Sequence, residues 1–380
     1  MFKKLEKHKQ KIWQRGLWRT RCVTQSLPDA KVQINNEKYI NFCSSDYLGL
    51  SNHPKIIKAM QSCLQNAGFG SSSSPLLSGY SVECKELEKT FCHILGFEDA
   101  LVFPSGYQAN IGILSSLLTR DSIALCDRLC HASLLDGILL SRSKIKRFRH
   151  NDSRHAQELM KSHPPDLFIT ESVFSMEGDI APIDELSSLC RSSHTPFLMD
   201  DAHGFGVLGE NGLGAVSYWK LKPDILTIPF GKALGMSGAI VLAKKDTISL
   251  ILQHCRSYRY STAISPVICA GALESLDVIL NEKWRLEKLK KLIEYFNQYA
   301  LEYDLHMVSQ DITPIRSIHI GDSIKTLAIA KYLKNMGIYV AAIRPPTVPK
   351  NTSRLRISLV CAHQKSDIQY LVKSIRDALQ

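Results

Sequence analysis

The chain has 380 residues, enough for two domains or one large domain with an appendage, and its 44% hydrophobic and 22% charged composition is that of an ordinary globular protein. No apolar run reaches membrane-spanning length, and the basic start MFKKLEKHKQKIWQRGLWRTR lacks an apolar stretch with a small-residue cleavage site, so no membrane association is expected and the cytoplasm is the expected location. The net charge of +11 does not point to nucleic acid, because the bases are dispersed rather than gathered into patches interleaved with aromatics; an acidic protein partner suits it better.

Residues 1–45 read as a basic arm that begins with a docking helix. From about residue 100, short β-rich runs alternate with amphipathic helical stretches. The runs are ALVF (100–103), SIALCD (122–127), IKRFRH (145–150), DLFITES (166–172), PFLMDD (196–201), ILTIPF (225–230) and AIVLAK (239–244). This alternation predicts an α/β domain with a mostly parallel sheet covered by helices on both faces, with functional residues at the carboxyl ends of its strands. A long helical pattern from Ser265 to Leu301 leads into a small α+β unit that reads IRSIHI, IKTLAIAKYLKNMG, YVAAI, RLRISLV and DIQYLVKSIRDAL. The expected organisation is an arm at 1–45, a large domain at 46–285 and a small domain at 286–380.

The eleven cysteines, an odd number without a CxxC pair, suit a reducing compartment. Cys126 and Cys130 precede His131, but no second ligand pair follows, so they read as buried small hydrophobes and no metal is expected.

Charged residues cluster at the strand ends. FITES delivers Glu171, FLMDDAHGFG delivers Asp200 and His203, and CDRLCHASLLDG delivers His131 just before a helix. Singly, a carboxylate after a strand caps a turn and a lone histidine is structural. Together with Lys232 in IPFGKALGMSGAI they converge on one edge of a parallel sheet. A lysine in apolar surroundings becomes a nucleophilic amine able to form a Schiff base with a carbonyl cofactor. Pyridoxal 5'-phosphate (PLP) needs that amine and an acid on its ring nitrogen, for which Asp200 is the candidate. Ser105, Gly106 and Tyr107, between a strand and a helix, offer free N–H groups to a phosphate.

Two other readings are weaker. A nucleotide-hydrolysing box requires GxxxxGK[ST], whereas Gly231-Lys232 is followed by Ala233 and has Leu226 where the first glycine belongs. A metal hydrolase built on Asp200, Asp201 and His203 leaves Lys232 and the phosphate seat without a role.

Ten blocks in order carry a resemblance: FCSSDYLGLSNHP, SGYSVECKELE, CHASLLDG, HND, TESVFSMEGDIAPI, DDAHGFGVLGENGLG, FGKALGMSGA, YSTAISP, IRPPTVP and SRLRISL. Over residues 15–375 the chain resembles the α-oxoamine synthases of PLP-dependent fold type I. The resemblance implies a large domain with a mostly parallel seven-stranded sheet, a small α+β C-terminal domain, a homodimer, and PLP-dependent condensation of a small amino acid with an acyl thioester. Carried over by position, it implies that Lys232 bonds the cofactor and shuttles the Cα proton, Asp200 holds the ring nitrogen and His203 the ring oxygen, and His131 covers the ring face. Gly106, Tyr107 and Ser175 would touch the cofactor, and Thr262 would reach the phosphate from the other subunit. Arg19, Ser45, His131, Thr347 and Arg356 would bind substrate, with Arg356 forking onto a carboxylate. The acidic partner suggested by the net charge is then an acyl carrier protein. Three positions depart from the family pattern: Pro229 replaces a phosphate-binding threonine, Ser45 replaces an asparagine, and the glycine-rich loop before SGY reads GSSSSPLL.

Overall fold

The computed structural model describes residues 2–26 and 29–380. They form two compact units, one made of Met1–Gly49, Met176–Asp179 and Glu287–Gln380, the other of Leu50–Ser175 and Ile180–Leu286. No helix among the described residues is long and apolar enough to cross a membrane.

In the first unit the chain begins with the helix Phe2–Gln14, whose Phe2, Leu5 and Trp13 are exposed. Strands β1 (Lys31–Ile34) and β2 (Glu37–Asn41) then form a hairpin. Its two-residue turn, Asn35 and Asn36, has φ of 52° and 67°, the positive-φ geometry that matches the twist of the flanking strands and that asparagine tolerates.

The second unit is built on seven strands. They are β3 (Asp99–Phe103), β4 (Ile123–Asp127), β5 (Lys144–Phe148), β6 (Leu167–Glu171), β7 (Phe197–Asp200), β8 (Ile225–Pro229) and β9 (Ala239–Ala243). They form one sheet in the order β3-β9-β8-β7-β6-β4-β5, in which β9 runs against its two neighbours and the other pairings are parallel. The seven-stranded, mostly parallel sheet expected from the sequence is therefore present. Strands β6 and β7 are buried at every position, as a sheet covered on both faces requires. On one face Leu198, Ile225 and Val241 pack with Ile113 and Leu134 of the helices Gly106–Leu117 and Ala132–Ser141. Gly137 lets these helices meet: a Cβ there would lie 2.9 Å from Leu114 Cβ and 3.0 Å from the Asn110 carbonyl oxygen. Because all strands but β9 run one way, Asp127, Glu171, Asp200 and Pro229 end at the same edge.

The helical pattern from Ser265 to Leu301 is two helices, Pro266–Asn281 and Trp284–Glu302. The break falls at Glu282, whose carboxylate takes Arg285 Nε at 2.9 Å and lies 3.4 Å from His53 Nε2 and 3.5 Å from Lys55 Nζ.

The first unit resumes with β10 (Ile315–Gly321), β11 (Ile338–Tyr339), β12 (Ala341–Ile343) and β13 (Ser353–Ser358). The run YVAAI, read from the sequence as one strand, splits here. Strand β11 pairs with β2, whereas β12 pairs with β13, and Val340 is buried at the crossover. The pairing of β2 with β11 makes the N-terminal residues part of this unit, although the sequence sets 1–45 apart as an arm. Arg316, in β10, is fully buried and spends its guanidinium on the carbonyl oxygens of Ser309, Asp311 and Ile315 and on Asn297 and Thr313. The segment Met176–Asp179 joins the unit through Ser317 Oγ donating to the Met176 carbonyl (2.7 Å), Thr313 Oγ1 donating to the Gly178 carbonyl (2.6 Å), and an Arg354–Glu177 ion pair at 2.8 Å. All eleven cysteines are free, and Cys22 is the exposed one.

Candidate active site

Lys232 stands in the turn between β8 and β9, just beyond the common strand edge. The turn is held by its own backbone: Phe230 N–H donates to Gly238 O (2.8 Å), Met236 N–H to Phe230 O (3.1 Å) and Gly235 N–H to Lys232 O (2.9 Å). Gly235 has φ of 75°, and a Cβ there would lie 2.5 Å from Ser51 N, so a side chain would push the turn away. Lys232 itself is half-buried.

Asp200 ends β7 on the face that packs against the Gly106–Leu117 helix. Its Oδ2 accepts from Asn110 Nδ2 at 2.7 Å and its Oδ1 from the Ala202 N–H at 3.0 Å. Burial pushes its carboxyl above the ordinary carboxylate range, opposed by the Asn110 hydrogen bond and by the nearby charges of His131 and Lys232. The structure therefore brings Asp200, His131 and Lys232 into one electrostatic neighbourhood. Asp201, the next residue, faces elsewhere. Its oxygens accept from Ser172 Oγ (2.5 Å) and the Ala215 N–H (2.9 Å), and burial pushes its pKa up to about 7. Asp201 braces the loop that follows β7 rather than joining Asp200 and His203 in a ligand set. His203 is buried in that loop.

His131 caps the N-terminus of the Ala132–Ser141 helix and its ring is exposed. Its Nδ1 accepts from the Ser133 backbone N–H (3.2 Å) and lies 2.8 Å from Ser133 Oγ, while the backbone N–H of His131 donates to Glu171 Oε1 at 2.5 Å. Glu171 thus has the turn-capping role that a strand-end carboxylate commonly takes. The ring of Tyr107 stands edge-on to His131 with centroids 6.4 Å apart, and its hydroxyl donates to Asp136. Cys126 and Cys130 lie in the core packed beneath these helices.

The seat read for a phosphate has a specific fit. Ser105 Oγ accepts from the Gln108 N–H at 3.2 Å, so its side chain caps the helix, and the first N–H groups of the turn remain without intrahelical partners. A Cβ on Gly106 would lie 2.6 Å from Pro229 Cγ, so this glycine is what lets the end of β8 approach the helix. Two buried polar atoms, Thr227 Oγ1 and Asn110 Oδ1, have no hydrogen-bond partner. Thr227 pairs in register with Asp200 and so shares its face of the sheet. Ser175 is half-buried beyond β6, and Thr262 is exposed.

The remaining sites read from the sequence lie in the other unit and form two groups. Tyr47 is fully buried; burial pushes its hydroxyl pKa up, against the charge of Arg356 and hydrogen bonds with Ser45 and Arg356. Arg356 Nη1 also donates to Ser358 Oγ at 2.9 Å. Arg19 Nη2 donates to Thr347 Oγ1 at 3.3 Å in an exposed contact, and the nearby Arg344 donates to the Gly16 carbonyl.

Asn110, Ser133 and Tyr47 were not singled out in the sequence. A signal existed for Asn110, an uncharged polar residue in the buried stripe that it shares with Ile113 and Leu114. Ser133 and Tyr47 follow ordinary helix-start and loop patterns and carry none.

The family model for aminotransferase class I and II matches residues 37–375. The chain belongs to this aminotransferase family. Within the family, it is 41% identical over 364 residues to the 8-amino-7-oxononanoate synthase of Vibrio campbellii, covering 96% of this chain and 94% of that one. It is 39% identical over 371 residues to the enzyme of the same name from Nitrosomonas eutropha, covering 96% of each. Among solved aminotransferase-family structures, a serine palmitoyltransferase from S. paucimobilis with a bound PLP–myriocin aldimine superposes with a TM-score of 0.92 at 26% identity, covering 99% of this chain and 97% of that one. The 8-amino-7-oxononanoate synthase of Francisella tularensis superposes with a TM-score of 0.81 at 32% identity, covering 90% and 98%.

Proposed function

We propose that the chain is a cytoplasmic, homodimeric, PLP-dependent 8-amino-7-oxononanoate synthase that condenses L-alanine with a pimeloyl thioester, on acyl carrier protein or CoA, releasing CO2 and the free carrier in biotin synthesis. The observation that carries the reading is the burial of Asp200 within electrostatic reach of both His131 and Lys232, in a chain similar over nearly its whole length to synthases of that name.

The residues present fit PLP. A buried acid whose own surroundings leave its carboxyl above the usual range suits a cationic ring nitrogen, which would hold it ionised. The free N–H groups at Gly106 and Tyr107 suit a phosphate, with Thr262 of a partner subunit completing that seat. His203 and Ser175 would take further polar positions on the ring. When bound, PLP supplies an electron sink that stabilises negative charge at the Cα of an amino acid.

Lys232 would hold the cofactor, and its Nζ would take the Cα proton of the substrate and later return it, acting as general base and then acid. Asp200 would keep a proton on the cofactor's ring nitrogen. His131 would cover the cofactor's ring face and offer an imidazole nitrogen to an oxygen of the acyl group. Arg356, beside Ser45 and Tyr47, binds a substrate carboxylate, and Arg19 with Thr347 binds the acyl portion.

The test incubates the purified protein with PLP, pimeloyl thioester and L-alanine, glycine or L-serine, and follows CO2 and the keto product. Preference for alanine by about tenfold or more over both others is expected, since a methyl group is worth about 1–3 kcal/mol in a fitted pocket. The alternative is a sister α-oxoamine synthase that uses glycine, such as a glycine C-acetyltransferase. The TM-score of 0.92 with a serine palmitoyltransferase makes serine the other amino acid to test, and preference for glycine or serine in this assay would establish a sister activity.

A further inference from the structure

A chain of buried polar side chains runs from Asp200 to the exposed ring of His131. Asp200 Oδ2 accepts from Asn110 Nδ2 at 2.7 Å; the same Nδ2 stands 2.9 Å from Ser133 Oγ, which stands 2.8 Å from His131 Nδ1. Asn110 and Ser133 are each 1% exposed, so water does not compete for these bonds. The close approach of the two helices permitted by Gly137 brings Asn110 and Ser133 into contact.

The direction of every bond in the chain follows from its first member. Ionised, as a cationic ring nitrogen beside it would hold it, Asp200 only accepts, so the amide nitrogen of Asn110 faces Asp200 and its oxygen faces away. The second amide N–H then points at Ser133 Oγ, making that oxygen an acceptor and leaving its proton for His131 Nδ1. The Ser133 backbone N–H, 3.2 Å from the same Nδ1, can only donate. Two independent donors therefore converge on one ring nitrogen, which must carry a lone pair.

We propose that Asn110 and Ser133 are positioning residues that tie His131 to Asp200 and hold the neutral ring as its Nε2–H tautomer, so that it presents a hydrogen-bond donor to an acyl oxygen. The identity of that oxygen rests on the reading under Proposed function; the tautomer does not. Ser133→Ala removes one of the two donors to Nδ1 and leaves Asp200 with its amide partner. Asn110→Ala severs both ends, leaving the Asp200 carboxylate short of a hydrogen bond and the Ser133 hydroxyl free to turn.

The experiment labels the full-length chain with ¹⁵N-histidine and records long-range ¹H–¹⁵N spectra with and without added PLP, identifying His131 by the signal lost in His131→Asn. Wild type is expected to show an unprotonated Nδ1 and a protonated Nε2. Ser133→Ala should mix the two tautomers and lower kcat about tenfold, the loss of one hydrogen bond, with little change in the KM for the amino acid. Ser133→Thr, which keeps the hydroxyl, should restore both. A wild-type ring with its proton on Nδ1 would overturn the proposal without any variant having to fold, and so would Ser133→Ala ring signals identical to wild type. The expected tautomer in a chain that makes no keto product would support the relay and overturn the functional reading instead.

Discussion

The two units place their charges differently. In the unit with the seven-stranded sheet, Asp127, Glu171, Asp200 and Lys232 stand at or just beyond strand ends, where a parallel topology leaves a common edge. In the other unit the buried cations Arg316, Arg354 and Arg356 sit within antiparallel strands, each held by local partners: backbone carbonyls and two polar side chains for Arg316, Glu177 for Arg354, Tyr47 and Ser358 for Arg356. Strand direction alone locates the first set. The second set is located only by knowing which strands pair, so the seven-stranded unit should carry chemistry that fails outright when disturbed and the other unit should carry binding that weakens by degrees.

The sharpest break of this contrast is at Lys232. Lys232→Ala should abolish turnover, and borohydride should no longer attach PLP to the protein in an intact mass measurement; retention of either would remove the lysine from the chemistry. At Arg356 the expected loss is graded. An ammonium cannot copy a planar fork, so Arg356→Lys should raise the KM for the amino acid about 10- to 100-fold, with a smaller effect on the acyl donor. Equal effects on both substrates would take Arg356 away from the amino-acid carboxylate.

Pro229 offers a gain rather than a loss. It packs on Gly106 beside the N–H groups read as a phosphate seat, and it has no donor of its own. Pro229→Thr should tighten PLP binding about tenfold in equilibrium dialysis, the worth of one hydrogen bond to a charged group. Unchanged affinity would show that another donor, such as the unpartnered Thr227 hydroxyl, already fills that role.

The smallest effect concerns Asp201, a strand-end acid that braces a loop. Its folded pKa of about 7 lies above its ordinary value of 3.8, so between about pH 4 and 7 the native state holds a proton that the unfolded chain has released. This contribution favours folding at low pH and is lost as the pH rises through the folded pKa. Asp201→Asn keeps an acceptor for Ala215 and a donor for Ser172 without titrating, so denaturant midpoints should vary less across that range. Glu88, also pushed up to about 7 by burial, leaves a residual slope of the same sign. A midpoint slope unchanged in the variant would contradict the buried, protonated carboxyl.

The sheet was legible because six of its seven strands are short, largely apolar runs and most are set off by helical patterns; only the edge strand β5, KIKRF, is mainly charged. YVAAI was not fully legible: a β-branched run encodes extended backbone but not its partner, and the chain changes partner at Val340. The break at Glu282 was hidden because a helical pattern continues on both sides, and the ion pairs that mark it involve His53 and Lys55, more than two hundred residues away in sequence. At the candidate site, strand-end logic found Asp200, His131 and Lys232. It passed over Asn110 and Ser133, whose meaning depends on two helices meeting at Gly137.

The free cysteines give the N-terminal region its own reporter. Ten of the eleven thiols are buried or half-buried and Cys22 is exposed, three residues from Arg19 and close to the basic helix at the start of the chain. A maleimide dye at low excess will mark Cys22 first. Its fluorescence then reads encounters at this end of the molecule directly, and an acidic carrier protein drawn there by charge would change the signal at low salt and lose its effect as salt is added.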